Sequence, residues 1–528
     1  MLSQQQQRTQ SLWRQAELHA SRMEWAQAIA CFKALLAQSP DDPKVLIQLS
    51  YVESLAGHYR AARNYALRAN EVKPVDPEIL KELIARLRTF NAAQALHACV
   101  DRLQLDRTPI PLLLAFAAQF SNLNEQNRAL ALLDEARRGD PDYPVTLIAR
   151  SQVLMYLGRF AEAEADVLRA MRRAPEIAQA SWLLSRLRKQ TAESNHVGQI
   201  RSQLQRPGRK PGEIALLADA LHKELDDLGD HAAAWGALEQ ACRAKRSTLN
   251  YDAGASRALI TALIELPMPP ASAPAVEGGN SRMPVFIVGM HRSGTTLLEQ
   301  LLDGHSDVHG IGELYDFTSQ MRFATDHHCR GVIDAKIVEC STAIGFDEVG
   351  GGYLAGIEWR LGKERYFTDK LPSNFLNIGF ICQALPQAKI LHMVRDPIET
   401  CFSNLRELFS DANPYSYDQI ELSDYFLQYQ RLMRHWHAAY PGRILDVDYA
   451  ELTRDPERVL REVCRFCGLE FESGMLDLST RTRGVATASA VQVREKVVAR
   501  DKPKWEPYAD YLQPMIQRLQ SGTGSAQG

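Results

Sequence analysis

Residues 284–314, PVFIVGMHRSGTTLLEQLLDGHSDVHGIGEL, carry a pattern that few folds can accommodate. The stretch opens on four apolar residues, Val285 to Val288, which read as a buried parallel strand. Gly289 and Gly294 then bound a short loop, Met290-His291-Arg292-Ser293, and Thr295-Thr296 follow it. Leu297, Leu298, Leu301 and Leu302 next mark one face of a helix. Strand, glycine-bounded loop and helix in that order make an anion cradle. The loop N–H groups and the positive end of the helix point at one place.

The common nucleotide-hydrolysing version of this loop is Gly-x4-Gly-Lys-Ser/Thr, whose lysine reaches the β- and γ-phosphates. Here the two glycines have that spacing, but Thr295 stands where the lysine would be. With Arg292 inside it, the loop suits a nucleotide with a short phosphate or phosphosulfate arm. The competing reading is an ordinary βα turn. The Arg-Ser-Gly-Thr-Thr string at a strand–helix junction favours the ligand site.

After this stretch the pattern alternates. Strands are expected at 365–368, 389–394 and 443–447, with helices at about 374–385, after Asp396-Pro397, at about 423–440 and after Asp455-Pro456. Such alternation implies a parallel sheet whose ligands bind beyond the carboxyl ends of the strands. The loops there offer Arg292 and the two threonines, then Lys370, then Arg395 with Ser403 and Arg406 on the following helix, then Tyr449. Cations and hydroxyls gathered on one rim fit a ligand with two separate phosphate groups.

Before Met268 the chain reads as helices alone. Prolines at 40, 74, 109, 141 and 175 end helical segments at spacings of 34, 35, 32 and 34 residues. The segments ending at Pro74 and Pro175 align without a gap, matching Gly57 to Gly158, Tyr59 to Phe160 and Ala62 to Ala163. This half resembles the tetratricopeptide family, whose period is 34 residues. The resemblance implies a superhelix of four to five repeats over residues 10 to 185, whose concave face takes peptide or protein. A further helix pair is expected at 215–246 and a polar, basic loop at 190–213. Residues 267–283, PMPPASAPAVEGGNSRM, have linker composition. The expected division is therefore a helical repeat domain at 1–266, a linker at 267–283, an α/β P-loop-like domain at 284–515 and a flexible tail at 516–528.

A net charge of −3 with no basic stripe argues against nucleic acid as a partner. The N-terminus has no apolar signal core and no run of 18 apolar residues occurs, so neither secretion nor a membrane span is expected. Nine scattered cysteines read as reduced thiols of a cytoplasmic protein. Cys464 and Cys467 form a CxxC on a helical apolar face, where core packing is the simpler reading than zinc or redox chemistry.

The GMHRSGTT and ILHMVRDP strings together resemble the PAPS-dependent sulfotransferases, and within them most closely the tyrosylprotein sulfotransferases. The resemblance extends to Gly312-Glu313, Asp369-Lys370-Leu371-Pro372, Tyr449-Ala450-Glu451-Leu452, Ser489 with Gln492-Val493, and Lys504-Trp505, and so spans about 284–510. It implies PAPS as donor, PAP as product and no metal. It implies that Arg292, Ser293, Gly294, Thr295 and Thr296 hold the 5′-phosphosulfate, Arg395 and Ser403 the 3′-phosphate, and Tyr449, Ser489 and Lys504 close over the nucleotide. Glu313 would be the base, with Lys370 and Arg292 stabilising the transferring group and the leaving oxygen. His309, His291 and His305 are rival bases. The acceptor implied is a hydroxyl, a tyrosine or another group on a peptide or protein, with glycan and small-molecule acceptors open. A kinase and an inactive scaffold are the readings from other classes, and a homodimer stays open.

Overall fold

The computed structural model describes residues 4–267, 282–478, 484–485 and 502–524. Most of the expected linker, and Ser489, Gln492 and Val493, lie outside the described residues. By packing the chain forms two compact units, residues 1–139 with 315–357, and residues 140–314 with 358–528.

The first unit holds four antiparallel helix pairs: α1 (Gln4–Ser21) with α2 (Trp25–Gln38), α3 (Pro43–Leu55) with α4 (Tyr59–Glu71), α5 (Pro77–Thr89) with α6 (Ala93–Asp101), and α7 (Ile110–Asn122) with α8 (Gln126–Gly139). Asp-Pro starts two of them. Asp42 accepts from the Lys44 and Val45 amides and Asp76 from those of Glu78 and Ile79, while the proline behind each occupies the first helical position.

The second unit begins with α9 (Pro144–Tyr156) and α10 (Phe160–Arg173), then α11 (Ala178–Leu187), α12 (Val197–Leu204), α13 (Pro211–Asp227), α14 (His231–Arg246) and α15 (Ala253–Glu265). One hydrogen bond recurs through the helix pairs. Ser50 Oγ donates to the Ala62 carbonyl at 2.7 Å, Ser151 Oγ to that of Ala163 at 2.9 Å, and His222 Nδ1 meets that of Ala234 at 2.9 Å. The shared separation of twelve residues identifies α13–α14 as one more copy of the same pairing. Residues 190–213, expected as a loop, contain α12. Its apolar anchors Val197 and Ile200 are too few to show periodicity, yet both are buried.

The same unit holds a five-stranded parallel sheet: β1 (Met283–Gly289), β2 (Val308–Gly310), β3 (Tyr366–Asp369), β4 (Lys389–Val394) and β5 (Ile444–Asp448), in the order β2-β3-β1-β4-β5. Helix α16 (Thr295–Leu302) leaves β1. Between β2 and β3 the chain enters the first unit as α17 (Asp316–Thr325), α18 (Ala335–Cys340) and α19 (Phe346–Ile357). Then follow α20 (Ile378–Ala384), α21 (Pro397–Leu405), α22 (Gln419–Ala439), α23 (Tyr449–Arg454), α24 (Pro456–Cys467) and α25 (Gln513–Gly524). A buried cluster joins Val285, Ile287, Leu298, Leu301, Leu391, Met393, Val447, Leu460 and Val463 under one face of the sheet. Cys464 and Cys467 lie in it, and burial raises their thiol pKa values to about 11 and about 12. The expected tail from 516 is instead the body of α25, held by buried Met515, Ile516 and Leu519.

Because β1 is central and its neighbours β3 and β4 lead off to opposite sides, the crevice at the strand ends opens beside β1. Strand β2, three residues long, is absent from the sequence reading. It brings residues 310–313 to the same rim as the loops after β1, β3, β4 and β5.

Candidate active site

The β1–α16 loop is wound tightly. Gly289 has φ +153°, Arg292 +67° and Gly294 +111°, and the Ser293 amide closes a turn on the Met290 carbonyl at 3.2 Å. A Cβ on Gly294 would lie 2.4 Å from the Tyr449 ring, so only glycine lets that ring reach the loop. Thr295 and Thr296 are buried in the first turn of α16. Ser293 Oγ is buried with no hydrogen-bond partner among the described residues. An orphaned hydroxyl inside a ring of backbone amides is what an anion-binding loop requires.

The loop after β4 stands against this one. Arg395 donates to the Arg292 carbonyl at 3.0 Å, pairs with Glu399, and lies over the Tyr449 ring at 4.5 Å. The other oxygen of Glu399 accepts from the Lys504 backbone amide at 2.7 Å. Lys504 is thus tied to the site by its backbone, while its side chain is exposed. Ser403, two turns into α21, accepts from Arg292 Nε at 3.3 Å. Asn404, which the sequence reading did not single out, donates to the His291 carbonyl at 2.6 Å.

Lys370, the residue after β3, is fully buried, and its ammonium donates to Glu313 Oε1 at 2.6 Å. Their segments are also joined through the backbone, Lys370 N to Gly312 O at 3.0 Å. Glu299 of α16 holds the Glu313 segment from beneath, accepting from Gly312 N at 2.8 Å and Thr368 Oγ1 at 3.3 Å. No local signal marks Glu299, since it reads as one polar residue in a leucine-rich helix.

The histidines separate. His305 is committed on both nitrogens, with Nε2 at 2.8 Å from the Glu470 carbonyl and Nδ1 accepting from Asp307 N at 3.0 Å. His291 is held neutral, its pKa lowered to about 4 by desolvation and then by the charges of Lys370 and Arg292. His309 sits at the middle of β2, half-buried.

Beneath the loop lies a layer of charge. Arg292, with 9% of its side chain exposed, has its Nη1 3.8 Å from Glu407 Oε2. Glu407 Oε1 accepts from Arg186 of α11 at 3.0 Å, and Arg186 also donates to Asp219 of α13 at 3.0 Å. Alongside, Arg406 pairs with Asp226 and donates to His222 Nε2 at 3.0 Å. Burial and Arg406 push His222 down to about 3. Separately, His392, His437 and Asp446 bring three donor atoms within 4.8 Å of one another, a group that could hold a cation. In this structure Asp446 Oδ1 meets His392 Nδ1 at 2.7 Å and His437 Nε2 at 2.8 Å.

Comparison with known proteins bears on this geometry. Residues 284–473 match the family model described as the sulfotransferase family. An uncharacterized protein of Aquifex aeolicus is 28% identical over 540 aligned residues, covering 92% of this chain and 71% of that protein. Protein-tyrosine sulfotransferase 1 of Danio rerio is 23% identical over 239 residues, 42% of this chain and 63% of that protein. The sulfotransferase domain of the Synechococcus PCC 7002 olefin synthase covers 47% of this chain and 98% of its own at 22% identity, with a TM-score of 0.31. Residues 284–473 thus match the sulfotransferase-family model, and they follow an array of antiparallel helix pairs.

Proposed function

We propose that this protein transfers the sulfuryl group of PAPS to a hydroxyl acceptor, a tyrosine or another hydroxyl of a peptide or protein. The observation that carries this reading is the Lys370–Glu313 pair at 2.6 Å on the rim that also bears the loop with the orphaned Ser293 hydroxyl. A buried amine and a partly exposed carboxylate side by side can separate the two charges of a displacement. The carboxylate takes the acceptor proton, and the amine offsets charge on the departing oxygen.

PAPS would supply the activated sulfuryl group. The amides of 292–296 and the Ser293 hydroxyl would hold its 5′ end, and Arg395 with Ser403 its 3′-phosphate. Tyr449, packed on Gly294 and under Arg395, is placed to close over the nucleotide. We assign Arg292 to the transferring group and Lys504 and Ser489 to the nucleotide rim. Glu313 is preferred to His291 as base because it adjoins Lys370, whereas the His291 ring packs against Phe409 and the Tyr415 hydroxyl.

We further propose a division into the repeat domain, 1–266, and the catalytic domain, 284–515, the repeats recruiting the acceptor chain. Part of the array serves this chain itself, since Arg60 N donates to Asp326 at 2.7 Å and Tyr59 stacks on His328. All nine cysteines are free thiols, which suits a reducing cytoplasmic setting. No helix among the described residues is long and apolar enough to cross a membrane.

The test is label transfer from PAPS to tyrosine peptides, other hydroxyl peptides and glycans. Sulfation of a peptide pool, lost in Lys370→Ala, supports the proposal. Transfer to glycans alone overturns the peptide acceptor, and transfer to none of them overturns the activity.

A further inference from the structure

We infer that Arg186, a residue of the repeat-type helix α11, is a positioning residue for the anion loop. It occupies the buried carboxylate of Glu407 so that Arg292 can turn to the ligand. The inference rests on the functional reading above.

Glu407 stands between two guanidinium groups, Arg186 at 3.0 Å and Arg292 at 3.8 Å. The nearer arginine comes from the helical half and the farther from the anion loop. Arg186 is itself fixed on the other side by Asp219, and Asp219 accepts from Trp182 Nε1 at 2.9 Å. The Trp182 ring also stacks under the Arg186 guanidinium at 4.5 Å. Arg186 is thus clamped by three groups and cannot follow the ligand, whereas Arg292 hangs on a strained loop residue at φ +67°.

The charge count explains the arrangement. Asp219 and Glu407 together match Arg186 and Arg292. A buried carboxylate left with one cation holds it tightly, because the cost of an unpaired buried charge is high. With Arg186 in place, Glu407 keeps a partner when Arg292 moves to a phosphosulfate. Without it, Glu407 would draw Arg292 down, and binding would have to break that pair. Helix α11 therefore tunes how readily the loop arginine is released.

The experiment measures PAP affinity by calorimetry, and kcat and KM for PAPS, on the full chain. The set is wild type, Arg186→Met, Glu407→Gln and the double variant. Arg186→Met should weaken PAP about tenfold, raising KM more than it lowers kcat. Glu407→Gln should bind PAP as tightly as wild type or more tightly, and the double variant should return to within about threefold of wild type. A packing role alone gives no such rescue. If Arg186→Met does not fold, the single Glu407→Gln decides, since a tenfold loss of affinity there overturns the inference. A wild type that binds PAP beside an unaffected Arg186→Met, or an unrescued double variant, overturns it alone. A wild type that binds no PAP removes the functional reading and the inference together.

Discussion

Lys370 shows how much one side chain can be asked to do. It is fully buried, and its ammonium is satisfied by a carboxylate that is itself about a third exposed. Replacing Glu313 with Gln keeps the shape and a hydrogen-bond acceptor but removes the proposed base. We expect turnover to fall about 10²- to 10⁴-fold with PAP affinity nearly unchanged, measured by steady-state kinetics and calorimetry. Equal loss in both would make Glu313 a binding residue. The two residues were legible in the sequence through the Gly312-Glu313 and Asp369-Lys370-Leu371-Pro372 strings that carry the family resemblance. The Arg186–Glu407 pair was not. Its members lie 221 residues apart, and neither has a neighbour that marks it.

Among the elements, the β1–α16 loop is the most exacting. Gly294→Ala would place a Cβ 2.4 Å from the Tyr449 ring at φ +111°. The expected cost is about 1–3 kcal/mol of stability with a loss of PAP binding, read by thermal melting and titration. A variant that melts and binds as wild type would mean that Tyr449 moves freely. Strand and helix positions around this loop could be read from apolar runs and from the Asp396 cap, which accepts from Glu399 N at 2.8 Å. Three-residue β2 could not, since Val308 is its one strongly apolar side chain and its pairing partner lies in β3, almost sixty residues on. Helix α24 carries the opposite lesson. Its cysteines gave a motif, but the apolar stripe around them, Val459, Leu460 and Val463, decided their role. Their raised thiol pKa values mean that the folded state resists ionisation. Stability should be full below about pH 9 and fall as pH rises toward 11 to 12, with no reaction with a thiol reagent in the native state at pH 8. Rapid native labelling would contradict this.

At the scale of the whole molecule, the second unit does not respect the division between helical and α/β halves. Arg406 of the α/β half pairs with Asp226 of α13, Tyr508 donates to the same carboxylate at 2.5 Å, and Cys242 of α14 reaches the Leu405 carbonyl at 3.5 Å. A fragment of residues 284–528 would strip these groups of their partners. We expect it to melt at least about 10 °C below the full chain or to aggregate, since each buried ion left alone costs several kcal/mol. A fragment as stable as the full chain would show the contacts to be incidental. His291 and His222 are held neutral, at about 4 and about 3, below the ordinary 6.5. The unfolded chain takes up those protons first on acidification. Stability is therefore complete above pH 6.5 and declines as pH falls through 6 toward 4, by about 1.4 kcal/mol per pH unit for each imidazole, measurable by melting at pH 7 and pH 5. The repeat period and the β/α alternation were legible from sequence because each recurs. The way α11, α13 and α14 buttress residues 405–407 at the end of α21 was not, because it depends on single long-range pairs.

The central claim is a site for a nucleotide bearing phosphates at both the 5′ and 3′ positions. Calorimetric titration of the full chain with PAP tests it most directly. The expected result is saturable binding of one PAP per chain, weakened about 10- to 100-fold by Arg395→Ala or by using adenosine 5′-phosphate, which lacks the 3′ group. Absence of PAP binding, or binding indifferent to the 3′-phosphate and to Arg395, would contradict it.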